Sequence, residues 1–146
     1  MDSVDLQVLR STAQWLDQGH RVVLATVVET WGSAPRPAGA LLAVRDDGQV
    51  TGSVSGGCVE DDLIERIRRQ ELAGDKPELT AYGISKEEAN RFGLPCGGQL
   101  RIVLEPLGRN TAWLRELLAR VANRELVARE LDLESGRVRL SAAARS

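Results

Sequence analysis

Apolar positions along the chain fall into two rhythms, one helical and one strand-like. Leu6, Leu9, Ala13 and Leu16 recur at helical spacing and predict an amphipathic helix over 3–18, ended by Gly19. Arg21 to Thr30 is instead a dense run of Val and Leu (Val22, Val23, Leu24, Val27, Val28), as in a strand buried on both faces. Trp31 to Gly39 holds two prolines and two glycines and predicts a loop. Leu41 to Arg45 and Gln49 to Val54 predict a hairpin that turns at Asp46-Asp47-Gly48, where glycine takes a positive φ.

Ser55-Gly56-Gly57-Cys58 then leads into a second helix with an apolar stripe of Val59, Leu63, Ile64 and Ile67. Glu60, Asp61 and Asp62 lie in its first turn and Arg66, Arg68 and Arg69 towards its end, an order that complements the helix dipole. A short strand over 79–83 follows. Ser85-Lys86-Glu87-Glu88 is a capping-box pattern opening a short helix to Phe92, and 93–98 form a loop. A buried strand spans 100–105. Leu114, Leu117, Leu118 and Val121 mark a third helix, and 126–133 with 138–140 form a hairpin around Glu134-Ser135-Gly136. The tail 142–146 is expected to fray. The alternation predicts a single α/β layered domain over 1–146, with a mixed β-sheet and flanking helices.

Composition narrows the function classes. The chain has 146 residues, 42% apolar and 27% charged, which suits one folded domain and excludes a disordered chain. A net charge of −2, with basic residues scattered among acidic ones, excludes a nucleic-acid-binding stripe. No apolar run approaches the roughly 20 residues that span a bilayer. Met1 to Asp5 lacks the basic start of a secretion signal, so the chain is expected to be cytoplasmic. In that compartment its two cysteines are expected to be thiols rather than a disulfide.

Three loops carry the candidate chemistry, each beside a predicted strand: Thr30 to Pro37, Ser53 to Glu60, and Gly93 to Gly98. In the second, Gly56 and Gly57 let backbone N–H groups approach a ligand, and the helix start after them favours anions. Ser55 adds a hydroxyl there. Cys58 falls in the first turn, where the dipole favours thiolate. The third loop repeats the combination with Cys96, Gly97 and Gly98. In the first, Arg36 is held between Pro35 and Pro37 near Ser33, a stiff mounting for a phosphate-binding guanidinium. Glu60 is the acidic residue nearest Cys58, although its first-turn position already explains it electrostatically. Glycine turns with small buried cysteines remain the plain alternative. Two thiols without histidine partners do not make a zinc site. The single histidine, His20, is expected to be a helix-end residue, and Trp15 and Trp113 are expected to be packing residues.

Thr30-Trp31-Gly32-Ser33-Ala34-Pro35-Arg36-Pro37, Gly52-Ser53-Val54-Ser55-Gly56-Gly57-Cys58-Val59-Glu60 and Gly93-Leu94-Pro95-Cys96-Gly97-Gly98 resemble, in order, the motifs of the XdhC/CoxI amino-terminal domain. The resemblance runs from the first helix to about Pro106. It implies an accessory protein that binds molybdenum cofactor, as molybdopterin or a nucleotide-extended form. It further implies help with sulfuration and with insertion into a xanthine-dehydrogenase-like or CO-dehydrogenase-like molybdenum hydroxylase, rather than catalysis of its own. By resemblance, Cys58 and Cys96 take a role at the cofactor, and which of them contacts molybdenum or carries sulfur does not follow from it. The residue chemistry of the three loops adds Ser33, Arg36, Ser55, Gly56, Gly57, Glu60, Gly97 and Gly98 as candidate cofactor-binding residues. A cysteine desulfurase and a second copy of the chain are the further partners it suggests. The alternative is a thiol-dependent sulfurtransferase using Cys58 and Cys96. Longer members of the family continue into a carboxy-terminal Rossmann-like domain, which is expected to be absent from these 146 residues.

Overall fold

The computed structural model describes residues 3–31, 39–54, 58–69, 76–82, 99–108 and 111–142. In chain order these form α1 (Ser3–Asp17), β1 (Val22–Trp31), β2 (Leu41–Arg45), β3 (Val50–Gly52), α2 (Cys58–Arg68), β4 (Glu78–Tyr82), β5 (Gln99–Leu107), α3 (Ala112–Ala122), β6 (Val127–Leu131) and β7 (Val138–Ala142). The helix expected over 85–92 lies outside the described residues.

Five strands form one sheet in the order β3-β2-β1-β5-β4, and β6 and β7 form a separate two-stranded sheet. The layered α/β domain with flanking helices is as the sequence predicts. Every ladder among the described residues is antiparallel, however, where a mixed sheet is expected from the alternation of elements. The reason is topological. Strands β3 and β4, joined through α2, do run parallel, but they occupy opposite edges and never pair. The remaining strands of this sheet insert between them with alternating direction.

The sheet is buried on both sides, which is why β1 and β2 read as continuous apolar runs. On one side Ala25, Val27, Leu42, Val44, Leu100, Ile102 and Leu104 pack against Val59 and Leu63 of α2. On the other, Val22, Leu24, Leu41, Ala43 and Leu107 pack against Val8, Leu9 and Trp15 of α1 and Trp113, Leu114 and Leu117 of α3. Both tryptophans are therefore packing residues. Each also carries a guanidinium over its ring, Arg45 on Trp15 at 5.4 Å and Arg129 on Trp113 at 4.7 Å.

Local signals set the element ends. Gly19, at φ 91°, closes α1 with paired bonds, its own N–H to the Leu16 carbonyl and that of His20 to the Trp15 carbonyl, both at 3.0 Å. The His20 ring lies 2.9 Å from Asp46, so it is a helix-end residue far from the candidate loops. Gly48, at φ 93°, completes the β2–β3 turn. Strand β5 continues through Pro106, beyond the expected end at 105. Pairing with β4 stops at Leu104, so the missing proline N–H falls where no neighbouring strand needs it.

The end of α3 shows the same paired bonds as α1, from Arg124 N–H to the Val121 carbonyl and from Glu125 N–H to the Arg120 carbonyl. Here the left-handed position is held by Arg124, at φ 62°. Arg124→Gly should therefore raise stability by about 1 kcal/mol, read as a higher urea midpoint.

Candidate functional site

Strand directions bring all three motif-bearing connections to one end of the sheet. Trp31 of β1, Leu41 of β2, Gly52 of β3, Tyr82 of β4 and Gln99 of β5 lie at that end. The connection from β1 to β2 carries Ser33 and Arg36. The one from β3 into α2 carries Ser55, Gly56 and Gly57, and the one from β4 to β5 carries Cys96, Gly97 and Gly98. Those eight residues lie outside the described ones; their flanking strand ends do not. Chain length bounds the third connection: Cys96 is three residues before Gln99, so their Cα atoms lie within about 11 Å.

Both helices that flank the sheet's centre begin at this same end, on opposite faces. At the amino terminus of α1, Asp5 Oδ1 accepts from Leu41 N–H at 3.0 Å. At its far end Trp15 meets Arg45. Helix α2 begins with Cys58 and finishes where Arg68 lies against Gly48 of the β2–β3 turn. Two positive helix termini at one sheet end favour an anionic ligand between them.

Acidic residues near the starts of these helices engage the scaffold. Glu60 Oε1 accepts from Val54 N–H at 2.9 Å, closing the six-residue step from the end of β3 into α2. Asp62 Oδ2 accepts from the Tyr82 hydroxyl at 2.8 Å. Arg66 donates to the same hydroxyl at 3.4 Å and lies 3.9 Å from Asp62. Burial first, then the bond to Asp62, push the Tyr82 hydroxyl well above the ordinary tyrosine pKa, so it stays protonated and donating. Glu60 is the one sequence-predicted site residue whose side-chain contact is described. Cys58 is placed by its backbone, as the first residue of α2.

Three features at this end escape a reading of the sequence. A bulge at Val28 separates the pairs Val27↔Ile102 and Glu29↔Arg101, and it re-aims β1 just before Trp31. Gly52, at φ 91°, has its Cα where an added methyl would collide with the Leu41 carbonyl oxygen and Val8 Cγ2. Tyr82 is 1% exposed inside the α2 layer, where its hydroxyl meets Asp62. The glycine of Gly52-Ser53 is visible in the sequence. The close approach of α1 to it is not.

Among the described residues no group of three His, Cys, Asp or Glu side chains is placed to hold a metal ion. Nor is any described helix long and apolar enough to cross a membrane.

Residues 15–83 match the XdhC and CoxI family. The chain is 34% identical over 134 residues to the molybdenum cofactor insertion chaperone PaoD of Escherichia coli K12, covering 86% of this chain and 38% of that protein. It is 37% identical over 84 residues to a probable xanthine dehydrogenase subunit from Bacillus subtilis 168, covering 56% of this chain and 24% of that one. The crystal structure of a xanthine dehydrogenase from Bacillus halodurans is similar with a TM-score of 0.63 at 26% identity, over 97% of this chain and 45% of the other. The chain spans less than half the length of these relatives.

Proposed function

This chain belongs to the XdhC and CoxI family, and on that footing we propose that it binds molybdenum cofactor in the cytoplasm and assists its insertion into a molybdenum hydroxylase. The observation that carries the reading is the similarity to PaoD, a molybdenum cofactor insertion chaperone, across 86% of the chain. The cofactor is cargo here, handed on rather than consumed.

The convergence of strand ends supports a place for that cargo. Its phosphate end suits the α2 amino terminus, with Ser55, Gly56 and Gly57 as candidate donors and Ser33 and Arg36, on the β1–β2 connection, as candidate partners for its charge. Its sulfur-rich end suits Cys58 and Cys96, flanked by Gly97 and Gly98, as molybdenum contacts or as handlers of the sulfur added during sulfuration. Glu60 takes part by closing the step into α2, whatever else it touches.

Transfer is the discriminating experiment. Protein loaded with molybdenum cofactor should activate a cofactor-free xanthine-dehydrogenase-like hydroxylase faster than the same concentration of free cofactor does. Equal rates with and without the protein would reject the insertion role. If mass spectrometry after mild persulfide donation instead found sulfur on Cys58 or Cys96, and no cofactor were bound, the chain would be a sulfurtransferase.

A further inference from the structure

We propose that Tyr82, acting through Asp62, is a positioning residue that fixes the first turn of α2 against the strand ends of β4 and β5; this rests on the reading of Cys58 and Cys96 as partners at one site. Helix α2 buries an apolar stripe that turns one face to the sheet, but apolar contact alone restrains its position along the axis only weakly. Hydrogen bonds add that restraint. Two of them reach the beginning of α2 from opposite edges of the sheet. Val54 N–H, just beyond edge strand β3, donates to Glu60 at 2.9 Å, and the hydroxyl of Tyr82, the last residue of edge strand β4, donates to Asp62 at 2.8 Å.

The positions reached are informative. Asp62 and Arg66 are one turn apart on one face of α2, and Asp62 follows the first residue of the helix, Cys58, by one turn of the backbone. Tyr82 therefore binds α2 one turn beyond its start. Its backbone pairs with Leu100, one residue into β5, and Cys96 lies four residues before Leu100 in the chain. One side chain thus ties the Cys58 turn to the strand pair from which the Cys96 connection springs. A phenylalanine would fill the same apolar volume, so the hydroxyl is what this role requires.

The test is the rate at which dibromobimane, which fluoresces once both its arms have alkylated neighbouring thiols, bridges Cys58 and Cys96 in the full chain. Y82F should slow bridging by about tenfold, because intramolecular rates fall steeply with misplacement, while single-thiol alkylation and melting temperature change little. D62N keeps an oxygen acceptor for Tyr82 and should bridge at nearly the original rate. D62A leaves the core tyrosine in place, loses the acceptor, and should behave like Y82F, which covers the case in which Y82F fails to fold. Bridging in D62A at the rate of the unaltered chain would overturn the proposal, and so would an unaltered chain that does not bridge. Molybdenum content measured on the same samples reports separately on cofactor binding, so loss of that reading is not mistaken for loss of this one.

Discussion

Gly52→Ala should cost about 3 kcal/mol or more of folding stability. Two penalties combine. Gly52 sits at φ 91°, where a side chain is strained, and its added methyl would overlap the Leu41 carbonyl oxygen and Val8 Cγ2. The first clash is with backbone, which cannot rotate aside, so β2, β3 and α1 would have to separate. Gly19→Ala is the natural control. Its φ is also 91°, but nothing lies within 4 Å of the new methyl, so it should cost only about 1 kcal/mol. Urea unfolding of both variants isolates the steric part. A loss at Gly52 no greater than that at Gly19 would mean that α1 is not pressed onto β3. Because Gly52 is the last residue of β3, a folded G52A chain should also deliver Cys58 poorly.

The second large effect involves the buried pair Glu105–Arg129. Glu105 is 3% exposed; its Oε1 accepts from Arg129 Nη1 at 2.7 Å, and its Oε2 has no hydrogen-bond partner among the described residues. Arg129 on β6 also covers Trp113 of α3, so this pair fastens the β6–β7 hairpin to the main sheet. Arg129→Met keeps most of the volume and strands the carboxylate, which should cost about 3 kcal/mol at pH 7. Glu105→Gln keeps an oxygen acceptor for Arg129 and removes a charge that burial disfavours more than Arg129 favours it, so it should cost clearly less than Arg129→Met.

The pH dependence has a definite sign. Burial outweighs Arg129 and raises the Glu105 pKa above its ordinary value of 4.5. The folded chain then holds a proton that the unfolded chain releases. The contribution of Glu105 is most favourable below about pH 4.5 and weakens as pH rises through its raised value. In E105Q that decline should vanish from the plot of urea midpoint against pH. For R129M the loss should shrink at pH 5, where the stranded carboxyl takes up a proton.

The sequence exposes what is decided locally. Gly19 stops α1, Gly48 makes the turn, and the apolar runs of β1 and β2 declare burial on both faces, because each depends on neighbours a few residues away. Trp15 and Trp113 follow from helical spacing in the same way. What stays hidden depends on partners distant in the chain. Gly52 is constrained by Val8, Asp5 by Leu41, Tyr82 by Asp62 and Glu105 by Arg129. Read locally, Glu105 is a polar break in a strand and Asp62 a dipole-balancing acid. The antiparallel order of the sheet is hidden for the same reason, since it turns on which edge β4 takes after α2. At the candidate site, the motif loops and their attachment to strand ends are readable in the sequence. Their gathering at one end follows only from the ladder pairings.

Co-purified pterin tests the central claim most directly. The unaltered chain, expressed in cells that make molybdenum cofactor, should release a fluorescent pterin and molybdenum on denaturation. Cys58→Ser and Cys96→Ser should each lose both while remaining folded. Cofactor content unchanged in both variants, or absent from the unaltered chain, would contradict the account.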